Sequence, residues 1–333
     1  MDAGARAPHS ADGVFEGGGV KGLALVGGLL EFADHGYTDW VNVAGTSAGA
    51  IVAAYLATGH SPEQAKALLE ATDFATFEDF GRGGLLVGGI VDLLAHHGLA
   101  HGQVFHEWFN RAVGGQTFAD IEKGGRTLKL IASDTTRHQM LVLPEDLAQF
   151  LDPRSGSPID PGSTLVADAV RMSMSIPYFF TPITLVHGTT REACTIVDGG
   201  VVSNFPVWIF DVDRDATRPT FGFRLGGGAG AGGGFARVLE HLGWEVEMAV
   251  DLFQTASDAF DTEFATHSTA VRTCVLDANG IGTTDFTLTA EQKRTLVDLG
   301  REGARTFLSG FATSAYVNSY GHGLVDPAWG PRG

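Results

Sequence analysis

The sequence predicts an α/β fold built on a parallel or mixed sheet covered by helices, and three observations point to it. A short extended run, "GVF" from Gly13, meets a glycine cluster, after which Leu23, Val26, Leu29, Leu30 and Ala33 recur at helical spacing. "WVNVAG" is a β-branched run ending in glycine, and "SAGAIVAAYLAT" continues from it as a small, apolar helix. A β-loop-α-β-turn-α unit is thus complete within the first 60 residues.

Further along, "SPEQAKALLEA" opens a helix with Ser61 at the N-cap, Pro62 at the first helical position and Gln64 completing a capping box. "HEWFNRAVG" reads as another helix, whereas "TLKLIASDTT" and "QMLVLP" read as two strands of a hairpin. "TLVADAVRMSMSIPYFF" is a helix running into a loop at Pro177, and "CTIVDGG" a strand ending in a turn. "PTFGFRL" is a further strand. A long helix over roughly 235–264, a strand "AVRTCVLD" and a last helix beginning near Thr289 complete the pattern. Residues 1–12 read as a disordered leader and 312–333 as a tail. The glycine tract 226–234 is the only plausible boundary, but strands lie on both sides of it, so 13–311 is expected to be one domain with an inserted loop.

Composition narrows the function. Of 333 residues 44% are hydrophobic, enough for a sizeable core. A formal charge of -17 with 22 Lys+Arg offers no basic block to neutralise phosphates, which argues against a nucleic-acid partner. Cys194 and Cys274 match neither a disulfide framework nor a zinc spacing, so buried free thiols are expected. Without an apolar leader or a run long enough to cross a bilayer, the chain is expected to be soluble and cytoplasmic.

The chemistry concentrates in two glycine-bearing turns. "GTSAGA" contains G-x-S-x-G, with Ser47 between Gly45 and Gly49 where a strand hands over to a helix. A serine on such a turn is held in a strained conformation with its hydroxyl above the sheet, and the free N–H groups of the following helix favour developing negative charge. A tight helix-start turn with Ser47 as a simple cap is the bland alternative. The earlier stretch "FEGGGVKG" has three functional readings. Gly17, Gly19 and Gly22 match G-x-G-x-x-G, but no acid ends the second strand as a dinucleotide site requires. The P-loop pattern is absent. An oxyanion hole of backbone N–H groups fits best, because the two turns should lie side by side at one sheet edge. A close-packed glycine turn is the alternative without chemistry.

Together "EGGGVKG", "GTSAG" and the downstream "DGG" resemble the patatin-like phospholipases, which hydrolyse acyl esters of lipids, and the likeness runs from about Gly13 to Phe311. It takes in "ADAVRMSMSIPYFFTP" and "DFTLTAEQKRTLVDLGREGA" as well. The resemblance implies a three-layer α/β/α fold with a central mixed, mostly parallel sheet. It places the oxyanion loop on Gly17, Gly18 and Gly19, the nucleophile on Ser47 and the catalytic aspartate on Asp198 in "VDGGVVSNFP". One departure is Glu16, where aspartate is common before the glycines.

The implied machine is a Ser-Asp dyad without histidine, metal or cofactor, in which Asp198 gains basicity from a partly desolvated site. The nearest rival is a Ser-Asp-His hydrolase completed by His241, His267 or His322, none of which sits in a convincing motif. A non-catalytic module that holds an anion or nucleotide in the glycine loop is the rival from another class. "HHGLAHGQVFH" brings His96, His97, His101 and His106 close in sequence, yet Gly98 weakens the helix that would face two of them together, and a solvated cluster is expected. Lys21 is read as steadying the glycine loop, meeting an anionic headgroup or simply solvated. Ser173 and Ser175 either line the site or cap backbone. The expected partner is a lipid, met in transient contact with a membrane surface or lipid aggregate.

Overall fold

The computed structural model describes residues 9–77, 98–211, 218–226, 270–278 and 287–311. Outside them fall residues 78–97, with His96 and His97, the glycine tract beyond Gly226, the long helix expected over 235–264, the tail 312–333, and His241, His267 and His322.

Strand β1 (His9–Phe15) begins inside the stretch read as a disordered leader. The leader boundary therefore moves: Ala11 and Asp12 are buried, and Asp12 accepts from the Asn42 amide at 2.9 Å and pairs with Arg218 at 2.6 Å. Polar residues at 9–12 masked a strand that is held by side-chain partners distant in sequence.

β1 lies between β2 (Tyr37–Thr46) and β10 (Thr220–Gly226), parallel to both. β11 (Thr273–Asp277) extends the parallel run beyond β10, and β4 (Thr127–Asp134) extends it beyond β2. Past β4 the sheet turns antiparallel through β9 (Ala193–Asp198), β8 (Ile183–His187) and β6 (Phe150–Leu151). β5 (Gln139–Leu143) forms the expected hairpin with β4. The sheet is mixed, as the sequence predicts. A separate two-stranded pair joins β3 (Gly98–Ala100) to β7 (Tyr178–Phe180).

One face of the sheet carries the main core. Trp40 of β2 and Phe221 and Phe223 of β10 meet Phe32 of α1 (Gly22–Asp34), and Phe15 of β1 stacks on Phe223 at 5.0 Å. Helix α2 (Ala48–Ala57) continues from β2, and α3 (Pro62–Ala71) starts at the predicted capping box of Ser61 and Gln64. Two helices precede β4, α4 (Gln103–Ala112) and α5 (Phe118–Lys123), and α6 (Val166–Ser173) precedes β7. The last, α7 (Ala290–Gly310), is capped by Thr289 and Gln292 and crosses α1 backbone to backbone. Added methyls at Gly27 and Gly300 would fall 2.1 and 2.0 Å from carbonyl oxygens of the opposite helix. On the other face, among the described residues, Val14 and Ala44 are covered by Phe205 and Val207 of the turn segment after β9.

Candidate active site

β1 and β2 run in parallel register with Phe15 opposite Gly45, so the loops that follow them emerge side by side at one sheet edge. The elbow after β2 is built by exclusion. A Cβ on Gly45 would lie 2.3 Å from the Gly49 backbone, and one on Gly49 would lie 2.1 Å from the Phe15 carbonyl oxygen. Only glycine lets α2 start this close to β1.

Between them Ser47 adopts φ 53°, ψ −119°, a conformation that costs a non-glycine residue roughly 1–3 kcal/mol. Two interactions hold it there. The Ser47 N–H donates to Ser173 Oγ at 3.1 Å, and the Ser47 carbonyl accepts from Ala50 N–H at 2.9 Å as α2 begins. The hydroxyl is thereby set at the N-terminal end of α2, whose first N–H groups carry partial positive charge. Ser173 is buried beneath the elbow and satisfies its backbone. Ser175 is held away from it, bonded to the Arg171 guanidinium and carbonyl, but its own carbonyl accepts the Asp198 N–H at 2.9 Å.

Asp198, 151 positions after Ser47, closes β9 and meets it at this edge. Its Oδ1 accepts from Gly200 N–H at 2.8 Å. Its Oδ2 is buried without a partner of ordinary hydrogen-bond geometry among the described residues. Burial pushes the carboxyl up to about 7, against the lowering influence of the neighbouring Ser47 hydroxyl and of the Gly200 amide. The hydroxyl is thus near enough to act on the carboxyl while remaining outside a normal hydrogen bond. Catalytic contacts commonly tighten only once substrate is bound.

Each glycine of the loop also has a structural reason to be bare. A Cβ on Gly17 would stand 2.2 Å from Asn204 Oδ1, and one on Gly18 would stand 2.3 Å from Leu225 Cδ1. Gly19 has φ 56°, in the left-handed region. The Gly17 N–H is also committed, because it donates to the Asn204 carbonyl at 3.1 Å while Asn204 Nδ2 donates back to the Gly17 carbonyl at 3.1 Å. This corrects the expectation that all three glycines present free amides. Gly18 and Gly19 make no such bond among the described residues.

Asn204, passed over in the sequence, therefore fastens the glycine loop to the turn that carries Asp198. Thr46 Oγ1 fastens the same turn to the elbow by donating to the Ser203 carbonyl at 3.2 Å. The one sequence signal was "SNFP", an asparagine beside a proline in the stretch that resembles the family. Glu16 has a structural part: it accepts from the Leu225 N–H and faces Arg224 at 3.6 Å, tying the loop to β10. Lys21 is buried rather than solvated, and burial lowers its pKa against the opposing influence of Glu16.

An apolar cleft opens at Ser47, with about 600 Å³ of empty space counted out to its mouth. Gly19 and Ala48 flank the serine. Ile51 and Val52 lie one helical turn farther along α2, and Leu69, Phe74, Phe77, Phe105 and Trp108 add an aromatic-rich wall. No histidine of the described residues lines this cleft or perturbs Asp198, and no metal-competent cluster occurs among those residues. Among the described residues no helix is long and apolar enough to cross a membrane.

Comparison with known proteins agrees with this architecture. A Bacillus subtilis (strain 168) protein described as uncharacterized protein YqhO is 38% identical over 302 residues, covering 89% of this chain and 97% of its own length. Uncharacterized protein R571 of Acanthamoeba polyphaga mimivirus is 26% identical over 210 residues, 60% of this chain and 61% of that one. The crystal structure of VipD from Legionella pneumophila superposes with a TM-score of 0.53 at 17% identity over 92% of this chain and 68% of VipD, a likeness of fold. The family model for patatin-like phospholipase matches residues 13–211, and with more than half of its length so matched this chain belongs to the patatin-like phospholipase family.

Proposed function

We propose that the protein is a lipid acyl hydrolase that cleaves carboxylic esters of phospholipids or related acyl lipids with a Ser47–Asp198 dyad. The observation that carries this reading is the pairing of a strained serine with a buried carboxylate that has one oxygen unpartnered and a pKa near neutrality. A carboxyl at about 7 is a far better base than an ordinary aspartate, yet half of it remains ionised at neutral pH.

In the proposed cycle Ser47 Oγ attacks the ester carbonyl carbon and its proton passes to Asp198 Oδ2. The tetrahedral oxyanion is met by the amides of Gly18 and Gly19 and by the start of α2. Collapse breaks the bond to the alcohol, which takes the proton from Asp198 as it leaves. Water then attacks the acyl-serine, giving a proton to Asp198, and collapse breaks the bond to Ser47 Oγ, which takes that proton back as the fatty acid is released. The acyl chain occupies the apolar cleft, and transient contact with a lipid surface supplies the substrate.

The test is hydrolysis of a panel of lipid esters, with fluorophosphonate labelling in parallel. Wild type should label and turn over, whereas Ser47→Ala should not label, and both Ser47→Ala and Asp198→Asn should lose about a thousandfold or more in kcat while staying folded. The acid limb of the activity profile should rise through about pH 7 as Asp198 ionises. Undiminished turnover in either variant overturns the dyad.

A further inference from the structure

Lys293 lies outside the cleft, yet it grips one of the cleft's walls. Its side chain leaves the first turn of α7, is buried, and directs its ammonium at the C-terminus of α3. There it donates to the carbonyls of Leu69 at 3.3 Å, Glu70 at 3.1 Å and Thr72. Three ammonium protons thus meet three carbonyls that the end of a helix leaves unsatisfied, where the helix dipole also favours a cation. The same nitrogen stands 4.6 Å from the ring centroid of Phe74.

The segment fastened in this way, 69–77, carries Leu69, Phe74 and Phe77, all of which line the cleft. Phe77 in turn packs against Phe105 and Trp108 at 5.3 and 5.0 Å between centroids. One buried cation therefore sits at the root of the aromatic wall, while Ser47 and Asp198 are held by other contacts, to Ser173, Ser175 and Gly200.

We infer that Lys293 is a positioning residue for substrate selection: by fixing the Leu69–Phe77 wall it sets the cleft for long acyl chains. This rests on the hydrolase reading above. Short esters, which fill only the space beside Ser47, do not depend on it.

The test compares butyryl and palmitoyl esters in wild type and Lys293→Met. The palmitoyl ester should lose about tenfold in kcat/KM, chiefly through KM, with the butyryl ester changed less than about twofold. Lys293→Arg, which keeps the cation and donors, should restore most of the loss. Where the Met variant fails to fold, Lys293→Gln, with two donors left for the carbonyls, should show the same split at smaller amplitude. Equal loss on both esters, or an unchanged chain-length profile, overturns the inference. If wild type hydrolyses neither ester the hydrolase reading fails instead, and direct binding of palmitate against butyrate to the same variants decides the role of Lys293.

Discussion

Two turns at one sheet edge both demand glycine, but they demand it differently. In the elbow, Gly45 and Gly49 are pressed against main chain, which cannot move without shifting β1, β2 or α2. In the glycine loop, Gly17 and Gly18 are pressed against the side chains of Asn204 and Leu225, which can rotate. Glycine in the elbow is thus a requirement of the fold itself. In the loop it is a requirement of two neighbours, one of which, Asn204, also orders the loop by hydrogen bonds.

The sharpest way to break this comparison is Gly49→Ala. With no yielding neighbour it should cost about 3 kcal/mol or more, read as a lowered urea midpoint. A midpoint within experimental error of wild type would show that the two turns do not differ. Next in size is Asp198→Asn, on the turn that both glycine segments grip. Because burial raises the folded-state pKa from 3.8 to about 7, the folded wild type binds more protons than the unfolded chain between those values, so its stability falls as pH rises through them. The Asn variant escapes that fall and should be more stable by about 2 kcal/mol at pH 8, below the roughly 4 kcal/mol that the full shift allows, with the difference vanishing near pH 4. Thermal denaturation across that range checks the sign.

Asn204→Ala comes third. Loss of its hydrogen bond to the Gly17 carbonyl should cost about 1 kcal/mol and lower kcat about tenfold without a matching change in KM. Smallest is Gly18→Ala, at under about 1 kcal/mol, and Leu225→Ala should relieve it in a double-mutant cycle. No side-chain truncation should relieve Gly49→Ala.

Much of the fold was legible because its elements announce themselves locally. The helical spacing of Leu23 to Ala33, the Ser61 capping box, the start of the last helix near Thr289 and the hairpin of β4 and β5 are all short-range signals. β3, β6 and β7 are two or three residues long, too short to show alternation, and β8 was passed over beside them. β1 started early because Asp12 finds partners at positions 42 and 218 that no local pattern reveals. In the candidate site, Ser47 and Asp198 stood out through their motifs and do lie together. The commitment of the Gly17 amide did not, since it depends on Asn204, 187 positions away. Nor did the Lys293 contact, which spans more than 220 positions.

The placement of β1 between β2 and β10 also bears on synthesis. Once made, β1 gains β2 as a neighbour almost at once but waits for β10 until roughly 200 more residues are made, about 10–40 s at usual elongation rates. Through that interval a strand that is central in the finished sheet has a bare edge, a template for wrong pairing. Glu16, waiting on the Leu225 amide, stays unclasped for as long. A nascent chain halted short of β10 should accordingly be both catalytically silent and prone to aggregate.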